Sequence, residues 1–204
     1  LPLPGSFVVP TACEATLTEH GGTVLSLVPF REGKLLSGSN DKTIKVWDTT
    51  SLACERTLQP PAGVGSLVLF GDLLFVGLGD IGSIGEIMVW NTTSWTHVRT
   101  LEGHTSWVRS LVMFGDKLIS GSDDQTIKIW DTASWTCERT LQLGDYVYSV
   151  KVHGDTVLVG LNGGKIEVRS LETGESVRTL DGHKDPVNSL AICGGKLFSG
   201  SRDC

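Results

Sequence analysis

Short runs of alternating apolar and polar residues, cut by turn-forming residues, recur along the whole chain. In the first stretch, Val24 to Phe30, Lys34 to Ser37, Thr43 to Trp47 and Ala53 to Leu58 read as four strands with a period of two. Between them stand Arg31-Glu32-Gly33, Asn40-Asp41-Lys42 and Asp48-Thr49-Thr50-Ser51, whose Gly and Asx residues suit tight turns. No stretch carries a sustained helical apolar period, so the pattern predicts an all-β chain.

The pattern also repeats in words. A Thr-Leu pair closes successive segments with its leucine at Leu17, Leu58, Leu101, Leu141 and Leu180, at steps of 41, 43, 40 and 39 residues. Ala53-Cys54-Glu55-Arg56-Thr57-Leu58 matches Thr136-Cys137-Glu138-Arg139-Thr140-Leu141, and Ala12-Cys13-Glu14 is an earlier echo. SGSNDKTIKVWDTTS at 37–51 returns as SGSDDQTIKIWDTAS at 120–134. Four strands per roughly 40 residues is the blade unit of a β-propeller. The boundaries read as a tail at 1–11, blades at about 20–58, 63–101, 104–141 and 145–180, and a partial blade at 183–204. A further outer strand is expected near 12–17.

Gly103-His104, then Ser120-Gly121-Ser122-Asp123-Asp124, then Trp130-Asp131 resemble the WD-repeat signature in order and spacing. The resemblance covers nearly everything after the first ten residues. It implies twisted four-stranded antiparallel blades, each tied by a hydrogen-bonded chain of His, Ser, Asp and Trp. His20, Ser37, Asp41 and Trp47 supply one set, and His104, Ser120, Asp124 and Trp130 another. His183, Ser199 and Asp203 supply a third without its Trp. The reading therefore expects a piece of a larger ring, seven blades being commonest in the family, in preference to a closed ring of five. The physical need is independent of any family: a buried indole N–H or imidazole without a partner costs on the order of 1–3 kcal/mol.

Two blades depart from the pattern. The second keeps Trp90 but has Val76 where Ser is expected, and no His at its start. The fourth has neither His nor Trp, with Arg169 in the Trp position. These two are expected to rest on apolar packing, with no orphan polar group.

Charge and composition narrow the function. A net charge of -6 argues against a phosphate backbone as partner, and no apolar run approaches the roughly 20 residues of a membrane-spanning helix. Five cysteines without a CxxC pair give no disulfide framework, which places the chain inside the cell, in the cytoplasm with the nucleus also open to it. Asn91-Thr92-Thr93 matches a glycosylation acceptor, a triplet common by chance. Gly77-Leu78-Gly79-Asp80-Ile81-Gly82 fits the dinucleotide fingerprint, but Ser83 to Trp90 align with a strand where that motif needs a helix. His20, His104 and His183 share one register in different blades, so no metal and no cofactor is expected. The Ser–His–Asp sets read as structural, not nucleophilic. Trp95 and Trp135 are expected to pack at the outer rim, and Arg56, Arg99, Arg139 and Arg178 to be solvated edge charges.

The resemblance implies that partners dock where the loops before the inner strands meet the turns before the conserved Asp. Trp107 and Tyr146 on the first series, and Asn40, Asp123 and Arg202 on the second, are the candidate contacts. The function expected is a non-enzymatic scaffold or adaptor for a protein or peptide partner, of the kind that recruits substrates to a ubiquitin ligase or kinase. No nucleic acid, membrane insertion or small-molecule substrate is expected. The alternatives are a propeller-type hydrolase or lyase, and a structural repeat without a partner.

Overall fold

The computed structural model describes residue 13 and residues 15–203 except 32, 81 and 83. The tail at 1–11 and two residues of the Ala12-Cys13-Glu14 echo lie outside the described residues. Every regular element among those described is a strand, and no helix is long and apolar enough to cross a membrane.

The first sheet holds β1 (Val24–Phe30), β2 (Lys34–Ser39), β3 (Ile44–Asp48) and β4 (Cys54–Leu58) in that order, all antiparallel. The second has β5 (Val64–Phe70), β6 (Leu73–Leu78), β7 (Ile87–Asn91) and β8 (Thr96–Leu101). The third has β9 (Val108–Phe114), β10 (Lys117–Ser122), β11 (Thr126–Asp131) and β12 (Thr136–Gln142). The fourth has β13 (Val147–His153), β14 (Thr156–Leu161), β15 (Ile166–Ser170) and β16 (Ser176–Leu180). A fifth has only β17 (Val187–Cys193) and β18 (Lys196–Ser201). The first four are propeller blades, each a meander running from an inner to an outer strand, and the fifth holds the two inner strands of one.

One junction is repeated between neighbouring blades. The valine that opens an inner strand inserts against a glycine of the preceding blade's second strand. A β-carbon on Gly38 would stand 2.4 Å from Val64 Cγ1, and one on Gly121 2.4 Å from Val147 Cγ1. Alongside, Ser26 Oγ accepts from the backbone N–H of Leu67, Ser66 Oγ from that of Leu111, and Ser110 Oγ from that of Val150, each at 3.0 Å. Val64, Val108, Val147 and Val187 are fully buried by this packing, whereas Val24 is 43% and Leu27 61% exposed. Gly200 correspondingly has only Ser189 Oγ within reach, so this contact is not made between the fifth blade and the first. The inner strands β1, β5, β9, β13 and β17 together line a channel of about 500 Å³.

The outer strand expected near 12–17 is not formed among the described residues there. Cys13 Sγ keeps the bonds to Ala15 O and Thr16 Oγ1 that Cys54 makes with Arg56 O and Thr57 Oγ1. The local bonds are therefore retained, but an outer strand needs a third strand to pair with, and the β17–β18 sheet has none among the described residues.

Candidate functional site

The repeated phrases converge inside the blades. In the third blade Trp130 Nε1 donates to Ser120 Oγ at 2.8 Å, Ser120 Oγ meets His104 Nε2 at 2.7 Å, and His104 Nδ1 meets Asp124 Oδ2 at 2.7 Å. The carboxylate accepts, so Nδ1 carries the proton; Nε2 then accepts from the Ser hydroxyl, which in turn accepts from the indole. The first blade repeats this with Trp47, Ser37, His20 and Asp41 at 2.7, 2.6 and 2.9 Å. In the fifth, His183 meets Ser199 at 2.7 Å and Asp203 at 3.0 Å, without a Trp.

A threonine completes each full set: Thr43 Oγ1 donates to Asp41 Oδ1 and Thr126 Oγ1 to Asp124 Oδ1, both at 2.6 Å. Burial pushes the Asp124 carboxyl up, but the hydrogen bonds from His104 and Thr126 outweigh it and hold the group at about 2. Asp41 is held below the usual carboxylate range by the same balance of burial against Thr43, His20 and the Gly21 N–H. For Asp203 the Lys184 N–H is the main cause.

As nucleophiles Ser37 and Ser120 are badly placed. Ser120 is completely buried, and its oxygen already accepts from an indole, so no substrate atom reaches it. Among the described residues no three His, Cys, Asp or Glu side chains gather as a metal would require. The glycine run at Gly77 leads into β7, not a helix, and a β-carbon on Gly79 would stand 2.5 Å from Trp107 Cα. Close approach of the next blade accounts for that glycine. Asn91 sits where Asp48 and Asp131 sit, its side chain capping the N–H groups of Thr93 and Ser94.

The second blade corrects the expectation that a lost network leaves no orphan. With Val76 in place of Ser, the Trp90 Nε1 is buried without a partner among the described residues. Its ring meets His97 edge-on at 5.8 Å instead. In the fourth blade Arg169 pairs with Glu167 at 2.7 Å and leaves no comparable orphan among the described residues.

At one mouth of the channel the two predicted series meet. The same backbone bond joins them in four blades: Asn40 N–H to Thr23 O, Gly79 to Gly63, Asp123 to Trp107, and Asn162 to Tyr146. Of the two aromatics expected there, only Tyr146 offers its ring to solvent, at 43% exposed. Trp107 is buried, lying against Gly65 and Gly79 of the preceding blade with its Nε1 unpartnered among the described residues. Asn40 rests against Gly63, and Lys42 beside it pairs with Asp80 at 2.7 Å. Arg202 lines the mouth.

Sequence reasoning missed Arg109. Its guanidinium is held between Trp107 and Tyr148, 4.1 and 4.8 Å from the ring centres, and grips Asp123 through two bonds of 2.8 and 2.7 Å. The residue after each opening valine (Leu25, Gly65, Arg109, Tyr148, Asn188) lines a cavity of about 260 Å³ at this mouth. That register was readable from the period of two, since it alternates with the valine buried against the preceding blade.

At the outer rim Trp95 packs edge-on against Phe30 at 5.5 Å, and Trp135 lies 6.2 Å from Phe75. The strand arginines are more than solvated charges. Arg56 lies 5.5 Å over Trp95, Arg99 6.0 Å over Trp135, and Arg139 donates to the carbonyls of Leu171 and Glu172 in the next blade. They clamp blade to blade because each outer strand faces the turn that opens the next outer strand.

Comparison with known proteins places this geometry in a family. The model of the WD domain, G-beta repeat matches residues 11–48, 95–131 and 174–204, together more than half of the chain. Autophagy-related protein 16 of Arabidopsis thaliana is 26% identical over 96% of this chain and 40% of its own length. F-box/WD repeat-containing protein 9 of Bos taurus is 26% identical over 98% of this chain and 44% of its own. Myosin heavy chain kinase C of Dictyostelium discoideum is 33% identical over 72% of this chain and 19% of its own. The chain thus spans less than half the length of these relatives. The crystal structure of the computationally designed Ika8 protein superposes with a TM-score of 0.73 at 27% identity, covering 90% of this chain and 57% of that one.

Proposed function

The chain belongs to the WD-domain, G-beta repeat family, and from that premise we propose that it is a non-enzymatic platform binding a protein or peptide at the Arg109 mouth of its channel. The observation that carries this is the cluster of Trp107, Arg109, Tyr146, Tyr148 and Asp123 on one loop face. Trp, Tyr and Arg are the residues that dominate interface energetics, and here Trp107, Tyr148 and Asp123 hold Arg109 in place on the face that also carries an exposed Tyr146. The five inner strands set that face rigidly, so a partner meets a preorganised surface.

A finer reading is recruitment of a substrate to a ubiquitin ligase or a kinase. Its support is that relatives bear the names F-box/WD repeat-containing protein 9 and myosin heavy chain kinase C. An intracellular setting accords with Cys13, Cys54, Cys137 and Cys193, all free thiols.

The test is affinity capture from lysate with the parent, a Tyr146→Ala, Arg109→Ala variant and a His153→Ala control at the opposite mouth. Melting curves come first, and Tyr146→Glu replaces the double variant if Arg109→Ala lowers the melt. A protein retained by parent and control and lost by the mouth variant supports the reading. Equal retention by all three moves the binding face elsewhere, and no specific retention removes the platform role.

A further inference from the structure

Four c–d turns carry a residue in the left-handed region at one register: Leu52, Trp95, Trp135 and Gly174, with φ of 61, 57, 63 and 79°. From that backbone Trp95 folds back over the preceding blade and roofs the cluster containing Phe30, Leu36 and Val46. Trp135 roofs the cluster containing Phe75, Val89 and Leu101. Each indole lies beneath an arginine of the outer strand it covers. Between the third and fourth blades the register holds Gly174, and there is no ring.

What remains there is a groove of about 260 Å³, floored by Ile119, Ile129 and Phe114, walled by Leu171, and edged by Arg139 and the Lys117–Glu138 ion pair. The groove beside Trp95 is of similar size, about 250 Å³, and is lined by Phe30, Val46 and Trp95 itself together with Arg31, Lys34, Thr92 and Thr93. The buried floors are alike, Ile119 and Ile129 against Leu36 and Val46; the difference is at the rim, where Trp95 packs over Phe30 and leaves it 7% exposed, while no ring covers Phe114. Phe114 is 40% exposed.

We propose that this groove binds an aromatic side chain, an indole above all, presented by a partner polypeptide. The chain itself supplies the template, because the two preceding junctions fill the same place with their own Trp under the equivalent arginine. Arg139 now holds the carbonyls of Leu171 and Glu172 and can turn over an incoming ring as Arg56 does over Trp95. Leu171 covers part of the floor but offers no aromatic surface. The site lies on the outer rim and does not depend on the channel mouth.

The probe is N-acetyltryptophanamide, with N-acetylleucinamide as control, followed by methyl NMR of the whole chain. Shifts at Ile119, Ile129 and Leu171 with the tryptophan probe, absent at Ile44 and Val46 and weak with the leucine probe, support the site. Gly174→Trp should abolish those shifts and raise the melting temperature by about 2–4 °C, once Leu141 Cδ2, 2.7 Å from the new β-carbon, rotates away. Arg139→Ala should weaken the probe about threefold, a readout that stands if Gly174→Trp does not fold. No shift in the parent at millimolar probe, equal shifts with the leucine probe, or undiminished binding to Gly174→Trp would overturn the proposal.

Discussion

The first and third blades carry a His–Ser–Asp–Trp chain that the second and fourth lack, yet all four share one strand order and one register. In the third, Ser120 joins Trp130 to His104 and Asp124 carries the far end. In the fourth, Val159 and Arg169 stand where Ser and Trp would be, and Arg169 finds Glu167. The second lies between these solutions: it keeps the Trp and has lost the hydroxyl. A buried network is thus stable whole or absent, and the half-kept state leaves an unpartnered donor. The fold itself does not require the network, since the Val-to-Gly junctions between blades are indifferent to it.

The largest effect belongs to the shared oxygen. Ser120→Ala strips partners from Trp130 Nε1 and His104 Nε2 at once, both in a buried site, and should cost about 2–4 kcal/mol in urea unfolding. Ser37→Ala removes the same pair of bonds in the first blade, whose opening residues Val24 and Leu27 are exposed, and should cost less. Replacing Ser120, His104 and Trp130 together by Val, Leu and Phe should cost less than the three single changes summed, because the last step removes groups already orphaned. Additive losses would mean that the network contributes bond by bond.

Acid sharpens the same contrast. Asp124 is held at about 2 against an ordinary 3.8, so its folded value lies below its unfolded one. Its contribution is complete above about pH 4 and is lost as pH falls through about 2. The difference corresponds to about 2 kcal/mol at neutral pH. Asp124→Asn should therefore be less stable than the parent at pH 7 and lose less on acidification, with the two denaturant midpoints converging near pH 2. Parallel curves would show that Asp124 does not carry the linkage.

Much of this was legible in the sequence because the blade writes its geometry locally. The inner strand at Val24–Phe30 follows from alternation and a Gly-containing turn, and the His–Ser–Asp–Trp registers follow from repeated words. What escaped depends on neighbours distant in sequence. Arg109 looks like an ordinary charge until Trp107, Tyr148 and Asp123 are brought around it. Arg56, Arg99 and Arg139 look solvated until the next blade's turn comes beneath them. Residues 13 and 15–17 have the composition of an outer strand, yet composition cannot supply the third strand against which it would pair. Trp90 was visible, and so was Val76; that the indole would be buried with no substitute acceptor was not, because that is a property of the packed interior.

The smallest effect tests that interior directly. Val76 pairs across the sheet with Met88, as Ser120 pairs with Lys128. Val76→Thr keeps one methyl of a fully buried side chain and places a hydroxyl where Ser120 Oγ stands relative to its Trp. The new oxygen can accept from Trp90 Nε1, and its own proton, with no His to receive it, has the Met88 carbonyl, at the register where the Lys128 carbonyl lies 3.4 Å from Ser120 Oγ. The gained bond contributes about 1 kcal/mol and the lost methyl offsets part of it, so a net stabilisation of about 0.5 kcal/mol is expected. Trp90→Phe provides the opposite check: it deletes an unpartnered N–H and should cost clearly less than Trp130→Phe, which removes the indole donor from Ser120 Oγ. If the two Trp→Phe changes cost the same, the Trp90 N–H is satisfied in solution, and the second blade is not the half-kept state that its bonding pattern makes it.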